Sequence, residues 1–418
     1  MRFRRSILFA VLGPAILAAQ FPDFGPVRLS FEQRERYESR EGMNFGRDPD
    51  LFTGLARTRF GVTWKAAGWL KLSAMAQDSR APWYGPNAPN SARDPLDLQE
   101  SYAELFGDRK TGFGLSAGRR MISYGESRLI GSPPWGNLGR TWDHARLWYR
   151  LPKAQFEVLL ASPVKVRIGE FNRPVLGDRI WGTYNAFPNF HGKKLLEVYL
   201  LRHDQTRPGG FTGAGRLGIN RFGVRLAGPL AAGAKYSVES VLQTGKVGEA
   251  AHRAGAWFSS LGRQWKLGSR TLDLAGEYKF ASGTNDPTKS GTFDQMYPAN
   301  HDKLGHQDLI GWRNIHHARG LATFGWTKNL AANFMYSSFW LASARDALYN
   351  SAGRAIVRSP GGTAGRHAGQ EADLFATYRH GHFQFGAGYG YFFPGGFVKR
   401  TTPGLRPTYL YLTHTVSF

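Results

Sequence analysis

The sequence of 418 residues contains no cysteine. This excludes a disulfide scaffold and a thiolate metal site, and it suits a compartment outside the cytosol, where a free thiol would be oxidised or mispaired. Beyond the N-terminus there is also no apolar run of the ~18 residues that a membrane-spanning helix needs. A disulfide-rich secreted domain and a helical membrane protein are therefore both excluded.

Acidic residues are scarce beside basic ones. The chain has 31 Asp and Glu against 54 Lys and Arg, a formal net charge of +23, which predicts an acidic partner such as nucleic acid, anionic lipid or an acidic polymer. Three arginines in the first five residues precede an apolar stretch that ends in small residues at position 19, as in a secretory signal. We interpret 1–19 as a signal peptide and 20–418 as one mature domain of net charge +20. Secretion disfavours nucleic acid as the partner.

The rest of the chain repeats segments of about ten alternating apolar and polar residues, separated by turns or loops. Arg57, Arg59 and Lys65 share one parity, whereas Phe60 and Trp64 share the other. Side chains of a strand point alternately to opposite faces, so this strand has a cationic face and an apolar face. A soluble β-sandwich would alternate as well.

Aromatic residues and loop lengths distinguish the two architectures. Trp, Tyr and Phe lie at the ends of the predicted strands, short turns alternate with long polar loops, and the chain ends in a strand with Phe418 last. These features are typical of outer-membrane barrels. The sequence predicts an all-β fold: a transmembrane antiparallel β-barrel of about 18 strands, with long extracellular loops and short periplasmic turns. Residues 164–194 are hard to assign, and we expect one strand over 179–187.

If the apolar parity faces lipid, the other parity faces the lumen. A charge on the lipid face near the middle of the membrane costs ~2–4 kcal/mol, so parity is a strong constraint. For each lumenal arginine, an ion pair within the wall and a contact with a passing anion are equally expected. The basic residues on the lumenal parity are Arg28, Arg34, Arg36, Arg57, Arg59, Lys65, Lys71, Arg120, Arg146, Arg221, Arg225 and Lys279, and Glu277 shares this parity.

Several motifs resemble the alginate export family of outer-membrane barrels. They include residues 118–120 (GRR), 124–131 (YGESRLIG), 142–146 (WDHAR), 184–187 (YNAF), 292–298 (TFDQMYP) and 345–349 (RDALY). The resemblance covers 55–418. It implies an 18-stranded barrel with an arginine-lined constriction, gating loops folded into the lumen, and passive outward passage of an anionic uronate polysaccharide. By motif, the constriction residues are Arg119, Arg128, Asp143 and Arg146.

The strand parity conflicts with one part of this assignment. Strict alternation from Phe113 sends Arg119 to the lipid face and Arg120 to the lumen. A bulge at Gly118 would reverse that order locally, and bulges are common near functional sites. Both arginines therefore stay candidates for the lumen.

A metal site and an enzyme active site at the membrane rim have less support in the sequence. Residues 300–317 contain four histidines and two aspartates, but no ligand set of fixed geometry is visible, so a plug is favoured over a metal site. His144 could pair with Ser123 or Ser127 in a rim enzyme, but no nucleophile motif surrounds either serine.

The prediction is an outer-membrane channel that passes an alginate-like polyuronate by passive diffusion, without catalytic residues, metal or cofactor. The alternative is a general anion-selective uptake porin for small acidic solutes. The expected partners are the bilayer, an acidic polysaccharide or oligosaccharide and periplasmic export machinery, and we expect a monomer. The predicted pore-lining residues are Arg57, Arg59, Lys65, Arg119, Arg120, Arg128, Asp143, Arg146, Arg221, Arg225, Glu277 and Lys279.

Overall fold

The computed structural model describes residues 24–84, 89, 91–206, 216–286 and 288–418, so the predicted signal peptide lies outside the described residues. Within them, 18 long strands form one antiparallel sheet. The strands are β1 Val27–Glu41, β2 Leu51–Ala67, β3 Leu70–Arg80, β4 Asp94–Leu105, β5 Gly112–Arg120, β6 Trp142–Leu151, β7 Ala154–Lys165, β8 Asp178–Phe190, β9 Lys194–Gln205, β10 Leu217–Pro229, β11 Ala234–Val247, β12 Ala250–Leu267, β13 Arg270–Ala281, β14 Ile315–Gly325, β15 Leu330–Leu341, β16 His367–His380, β17 Phe383–Pro394 and β18 Thr408–Ser417.

The sheet closes on itself. The last strand pairs with the first from Glu41 opposite Thr408 to Glu32 opposite Ser417, and β1 also pairs with β2 along almost its whole length. Closure leaves no unpaired sheet edge, as a barrel in lipid requires. The predicted architecture is confirmed, and β8 is the strand expected in the segment that was hard to assign.

The connections differ in length at the two ends of the barrel. At one end the turns are short, such as 68–69, 152–153, 268–269 and 381–382, and at the other end loops such as 81–93, 121–141, 282–314 and 342–366 are long. In outer-membrane barrels the short turns are periplasmic. The minor elements are short: strands Arg173–Pro174, Ala347–Tyr349 and Ala355–Arg358, and helical turns Met43–Gly46, Ala231–Gly233 and Gly396–Thr401. No helix among the described residues has the length and apolarity to cross a bilayer.

The two faces of the wall differ as the alternation predicts. Outward residues such as Leu200, Phe222 and Leu242 are 55%, 50% and 61% exposed, whereas inward neighbours such as Tyr199 and Arg221 are buried. An apolar exterior around a polar interior is the arrangement of a transmembrane barrel.

Two loops fold into the lumen from its extracellular end. We call residues 121–141 inner loop 1 and residues 282–314 inner loop 2. Their backbones pair with each other, since Gly131 N donates to Tyr297 O and Tyr297 N donates to Leu129 O, both at 2.9 Å. Ile130, Tyr297 and Trp312 are buried in one apolar cluster with wall residues. The main hydrophobic core therefore lies inside the barrel, and the inner loops form part of it.

Candidate functional site

Four arginines stand together on the inner wall of β1 and β2. Arg34 lies directly opposite Arg57 in the strand pairing, and Arg36 and Arg59 are each two residues further along their own strands. Residues two apart share one face of a strand, so all four guanidinium groups point inward. We call Arg34, Arg36, Arg57 and Arg59 the arginine row.

The arginine row binds inner loop 1 through the backbone carbonyls of residues 134–138. Each arginine donates to at least one of these oxygens, and Arg36 also stacks on the Trp135 ring at 4.1 Å. The loop segment thus presents a line of oxygen acceptors to a line of cations. The donor to acceptor distances are 2.8 Å from Arg34 to Pro134 O, 2.9 Å from Arg34 to Gly136 O, 2.5 Å from Arg36 to Trp135 O, 2.9 Å from Arg57 to Gly136 O and 3.0 Å from Arg59 to Leu138 O.

Carboxylates neutralise only part of the arginine row. Glu32 accepts from Arg57 at 2.8 Å, and Glu38 lies 2.6 Å from Arg36 but is shared with Arg40 at 3.1 Å. Carbonyl oxygens carry no net charge, so they complete the hydrogen bonds without cancelling the remaining charge. Because guanidinium groups bind carboxylates more strongly than neutral acceptors, a carboxylate would compete for this position.

A second charged cluster joins inner loop 1 to the opposite wall. Glu126 accepts from Arg128 at 2.5 Å and from Arg225 at 2.6 Å. Burial opposes the ionisation of Glu126, but Arg128 and Arg225 outweigh it and lower the pKa of this carboxyl to about 2. Arg128 also reaches Glu239 at 3.3 Å, and Arg225 reaches Glu197 at 2.5 Å. Here the cations are matched by carboxylates, so the cluster anchors the loop.

The other predicted lumenal residues are mostly paired within the wall or with the inner loops. Lys65 differs, because it lies at the periplasmic mouth and is half exposed beside Asp108. Ion pairs therefore account for all of these cations, Lys65 included, and contact of any of them with a passing anion stays a prediction. The pairs are Arg120 with Glu104 at 2.8 Å, Arg146 with Glu157 at 3.1 Å, Arg221 with Asp294, and Glu277 with Lys279 at 2.6 Å and with Arg319 at 2.7 Å.

The structure corrects the placement of Arg119 and Asp143. Asp143 shares its face of β6 with the exposed residues Leu147 and Tyr149, so it points outward. Arg119 lies opposite Asp143 and binds it through two hydrogen bonds of 2.8 and 3.1 Å. Gly118 has a positive φ of 122°, but the pairing of β5 with β4 and β6 runs past it without a register shift. Alternation therefore holds, and Arg120 is the arginine that faces the lumen.

The histidines make structural contacts. In inner loop 2, His301 binds Asp308 at 2.8 Å, and the His306 ring stacks on Phe375 with 4.4 Å between centroids. Burial lowers the pKa of His306 to about 3, so the ring packs uncharged. His144 lies 3.0 Å from Ser116, not beside the serines considered for a rim enzyme. In the described ranges no group of three or more metal-ligating side chains is placed to hold an ion.

Sequence reasoning missed Asn137, which fastens inner loop 1 to the wall. Its side-chain amide donates to the carbonyls of Ala56, Arg80 and Ala92 at 3.2, 3.1 and 2.8 Å. Ser79 donates to the Asn137 carbonyl at 3.1 Å. Nothing in the alternation of the strands marks this residue, because it lies in a loop and binds backbone atoms.

These features define the class of protein. A closed barrel of 18 antiparallel strands, with an apolar exterior and a polar lumen, is a channel protein of the bacterial outer membrane. The family can also be stated. The alginate export model matches residues 26–410, and the chain belongs to that family.

Solved structures with the same fold are outer-membrane proteins. Pseudomonas aeruginosa OpdK, solved with vanillate, superposes with a TM-score of 0.65 at 10% identity, covering 94% of this chain and 98% of OpdK. Acinetobacter baumannii OccAB1 gives 0.60 at 11% identity, covering 94% and 96%. Pseudomonas aeruginosa OccK2 (OpdF), solved in complex with glucuronate, gives 0.62 at 10% identity, covering 94% and 98%. At such identities the likeness shows the fold alone. No curated protein matches the sequence.

Proposed function

We propose that this channel passes an acidic polysaccharide of the polyuronate kind outward by passive diffusion. The arginine row carries the proposal, because it already binds a chain of oxygen acceptors in the lumen. The segment 134–138 occupies it with carbonyl oxygens at 2.5 to 3.0 Å. A polyuronate presents carboxylates at regular intervals along an extended chain. Such a chain would replace neutral acceptors with charged ones, which guanidinium groups bind about twice as strongly.

Because inner loop 1 occupies the arginine row, the proposal requires that the polymer exchange with this loop. Inner loop 1 must leave the arginine row before a chain can thread the barrel. The incoming carboxylates supply the same hydrogen bonds that the loop gives up, so the exchange leaves no guanidinium unsatisfied. The anchoring cluster around Glu126 remains paired in both arrangements. Periplasmic export machinery would deliver the polymer, and the barrel would act as a monomer.

A general uptake porin for small acidic solutes is the second candidate. One observation favours it: OccK2, which shares the fold, was solved with glucuronate, a single uronate. A monomeric acid needs only one or two guanidinium groups. The length of the arginine row, spread over two strands and four side chains, favours a polymer.

Block of single channels in planar bilayers separates the two candidates. Polyuronate oligomers should block the current of the wild type at concentrations at least tenfold below those of the monomeric uronate. The double variant Arg34→Ala with Arg57→Ala should lose most of this difference, whereas Lys65→Ala, outside the row, should keep it. Equal block by monomer and oligomer would favour the uptake porin. Cation selectivity of the wild type would refute both.

The residues assigned by motif can be tested in the same recordings. Arg128→Ala and Arg146→Ala should each weaken the block, since both guanidinium groups lie in the lumen. Unchanged block in both variants would show that these arginines serve only the wall and the loop anchor.

A further inference from the structure

The outward face of β8 to β12 carries an unusual set of side chains at its extracellular end. Strand pairing arranges them in two rows that cross five strands, one above the other. We call these the rim rows. The upper row is Arg179, Asp204, Gly218, Lys246 and Ala251, and the lower row is Trp181, Arg202, Asn220, Thr244 and Arg253.

The rim rows lie at the boundary between apolar and polar surface. The next row towards the periplasm contains Leu200, Phe222 and Leu242, all of them exposed. Exposed apolar side chains on the outer wall contact lipid chains, so the residues just beyond them stand at the level of the headgroups. Trp181, which is also exposed, marks this level, because tryptophan favours the membrane interface.

The rim rows keep an excess of positive charge. Arg202 is bound to Asp204 at 2.8 Å and to Asn220 at 3.1 Å. The side chains of Arg179, Lys246 and Arg253 are exposed, and within the described residues none of them forms an ion pair. Glu249, in the tight turn after β11, is likewise unpaired there. One carboxylate, Asp204, therefore lies among four cations of the rim rows.

Two other outward arginines at the extracellular end of the wall have carboxylate partners. Arg80 is paired with Asp78 at 2.7 Å, and Arg119 is paired with Asp143 at 2.8 Å. Outward charge alone is thus no sign of a ligand on this wall. The rim rows differ from these two sites because three of their exposed cations have no ion-pair partner among the described residues.

We propose that the rim rows bind the phosphorylated headgroup of a glycolipid in the outer leaflet. Four cations spread over five strands span four interstrand steps of about 4.8 Å, or about 19 Å, enough to contact more than one phosphate on a single headgroup. A guanidinium group can donate two hydrogen bonds to the oxygens of one phosphate. The acyl chains of the lipid would lie against the apolar row of Leu200, Phe222 and Leu242. The phosphates supply the negative charge that this surface lacks.

The same strand offers a matched control. Arg263 lies ten residues from Arg253 on β12, on the same outward parity and also exposed, but at the periplasmic end. Its guanidinium stands over the Trp265 ring at 5.1 Å. A charge reversal at Arg263 therefore changes the net charge of the protein without touching the rim rows.

Native mass spectrometry of the full chain in detergent tests the proposal. The probes are diphosphorylated lipid A, the same lipid without phosphates, and inorganic phosphate. The wild type should bind lipid A at least tenfold more tightly than the dephosphorylated lipid. The double variant Lys246→Glu with Arg253→Glu should lose at least tenfold in lipid A affinity, whereas Arg263→Glu and the conservative pair Lys246→Arg with Arg253→Lys should bind as the wild type does.

The proposal would be overturned if the double variant bound lipid A as tightly as the wild type, or if the wild type bound both lipids equally. It would also be overturned if Arg263→Glu lost as much lipid A affinity as the double variant, because this would indicate unspecific electrostatic attraction. Displacement of the lipid by equimolar inorganic phosphate would identify a small-anion site instead. If the double variant does not fold, as judged by heat-modifiable migration in gels, Arg179→Glu at the other edge of the rim rows gives the same test. Channel conductance should be unchanged in every rim variant, because these side chains point away from the lumen.

Discussion

Replacing Asn137 with alanine should open the channel without removing any lumenal charge. The Asn137 amide makes three contacts at 2.8 to 3.2 Å with backbone carbonyls, two on wall strands and one in the loop 81–93, and the residue is buried. Its two amide hydrogens correspond to about two hydrogen bonds, and each costs ~1 kcal/mol where water replaces the amide and ~2 kcal/mol where a carbonyl is left unsatisfied. The docked state of inner loop 1 should therefore lose ~2–4 kcal/mol of stability.

This loss sets the size of the expected effect. Since every ~1.4 kcal/mol is a factor of ten, the ratio of released to docked loop should rise by roughly 30- to 700-fold. Single-channel recording should show the rise as a higher open probability, up to saturation. Block by polyuronate should also begin at lower concentration, because the polymer no longer has to displace a firmly held loop.

A matched asparagine controls for unspecific effects. Asn333 lies on the wall itself, on β15, where its side-chain oxygen accepts a hydrogen bond from Thr323 at 2.7 Å. Asn333→Ala should leave the open probability unchanged. An unchanged open probability in Asn137→Ala, with the barrel folded, would refute the prediction that the docked inner loop 1 restricts the channel.

Three further predictions follow from the wall and its anchors. Glu126→Gln should lower the melting temperature at neutral pH, because the ion pairs of the ionised carboxylate are lost. Since the folded pKa of about 2 lies below the ordinary 4.5, this stabilisation is present above pH 4.5 and fades as the pH falls towards 2, so the melting temperatures of variant and wild type should converge there. Gly388→Leu should lower the free energy of unfolding in urea by ~1–3 kcal/mol, because a Cβ at this position would come within 2.3 Å of the Tyr411 ring. Ala387→Leu, on the lipid face, is the control and should be tolerated. Equal effects of the two substitutions would contradict this packing. Lys65→Ala, which breaks one exposed ion pair, should change the unfolding free energy by less than ~1 kcal/mol, and a larger loss would mean that the periplasmic mouth carries more of the stability than the structure indicates.

The sequence by itself determined the barrel architecture and the positive sign of the charge that faces the lumen. Alternation with period two must continue through every strand in lipid, since a misplaced charge near mid-membrane costs ~2–4 kcal/mol. Arg57 and Arg59 could therefore be assigned to the lumen from parity alone. Parity was also the better guide at Arg119, where the family motif suggested the lumen and the unbroken register places the side chain outside.

Only the tertiary structure decided how the lumen is used. The arginine row binds backbone carbonyls of residues 134–138, and every residue carries such an oxygen, so no side-chain pattern could predict the contact. The partners lie about 80 to 100 residues apart in the chain. The rim rows likewise exist only once five strands are in register, because Arg179 and Arg253 become parts of one surface through pairing alone. Local alternation fixes which way each side chain points, but closure of the barrel decides which side chains meet.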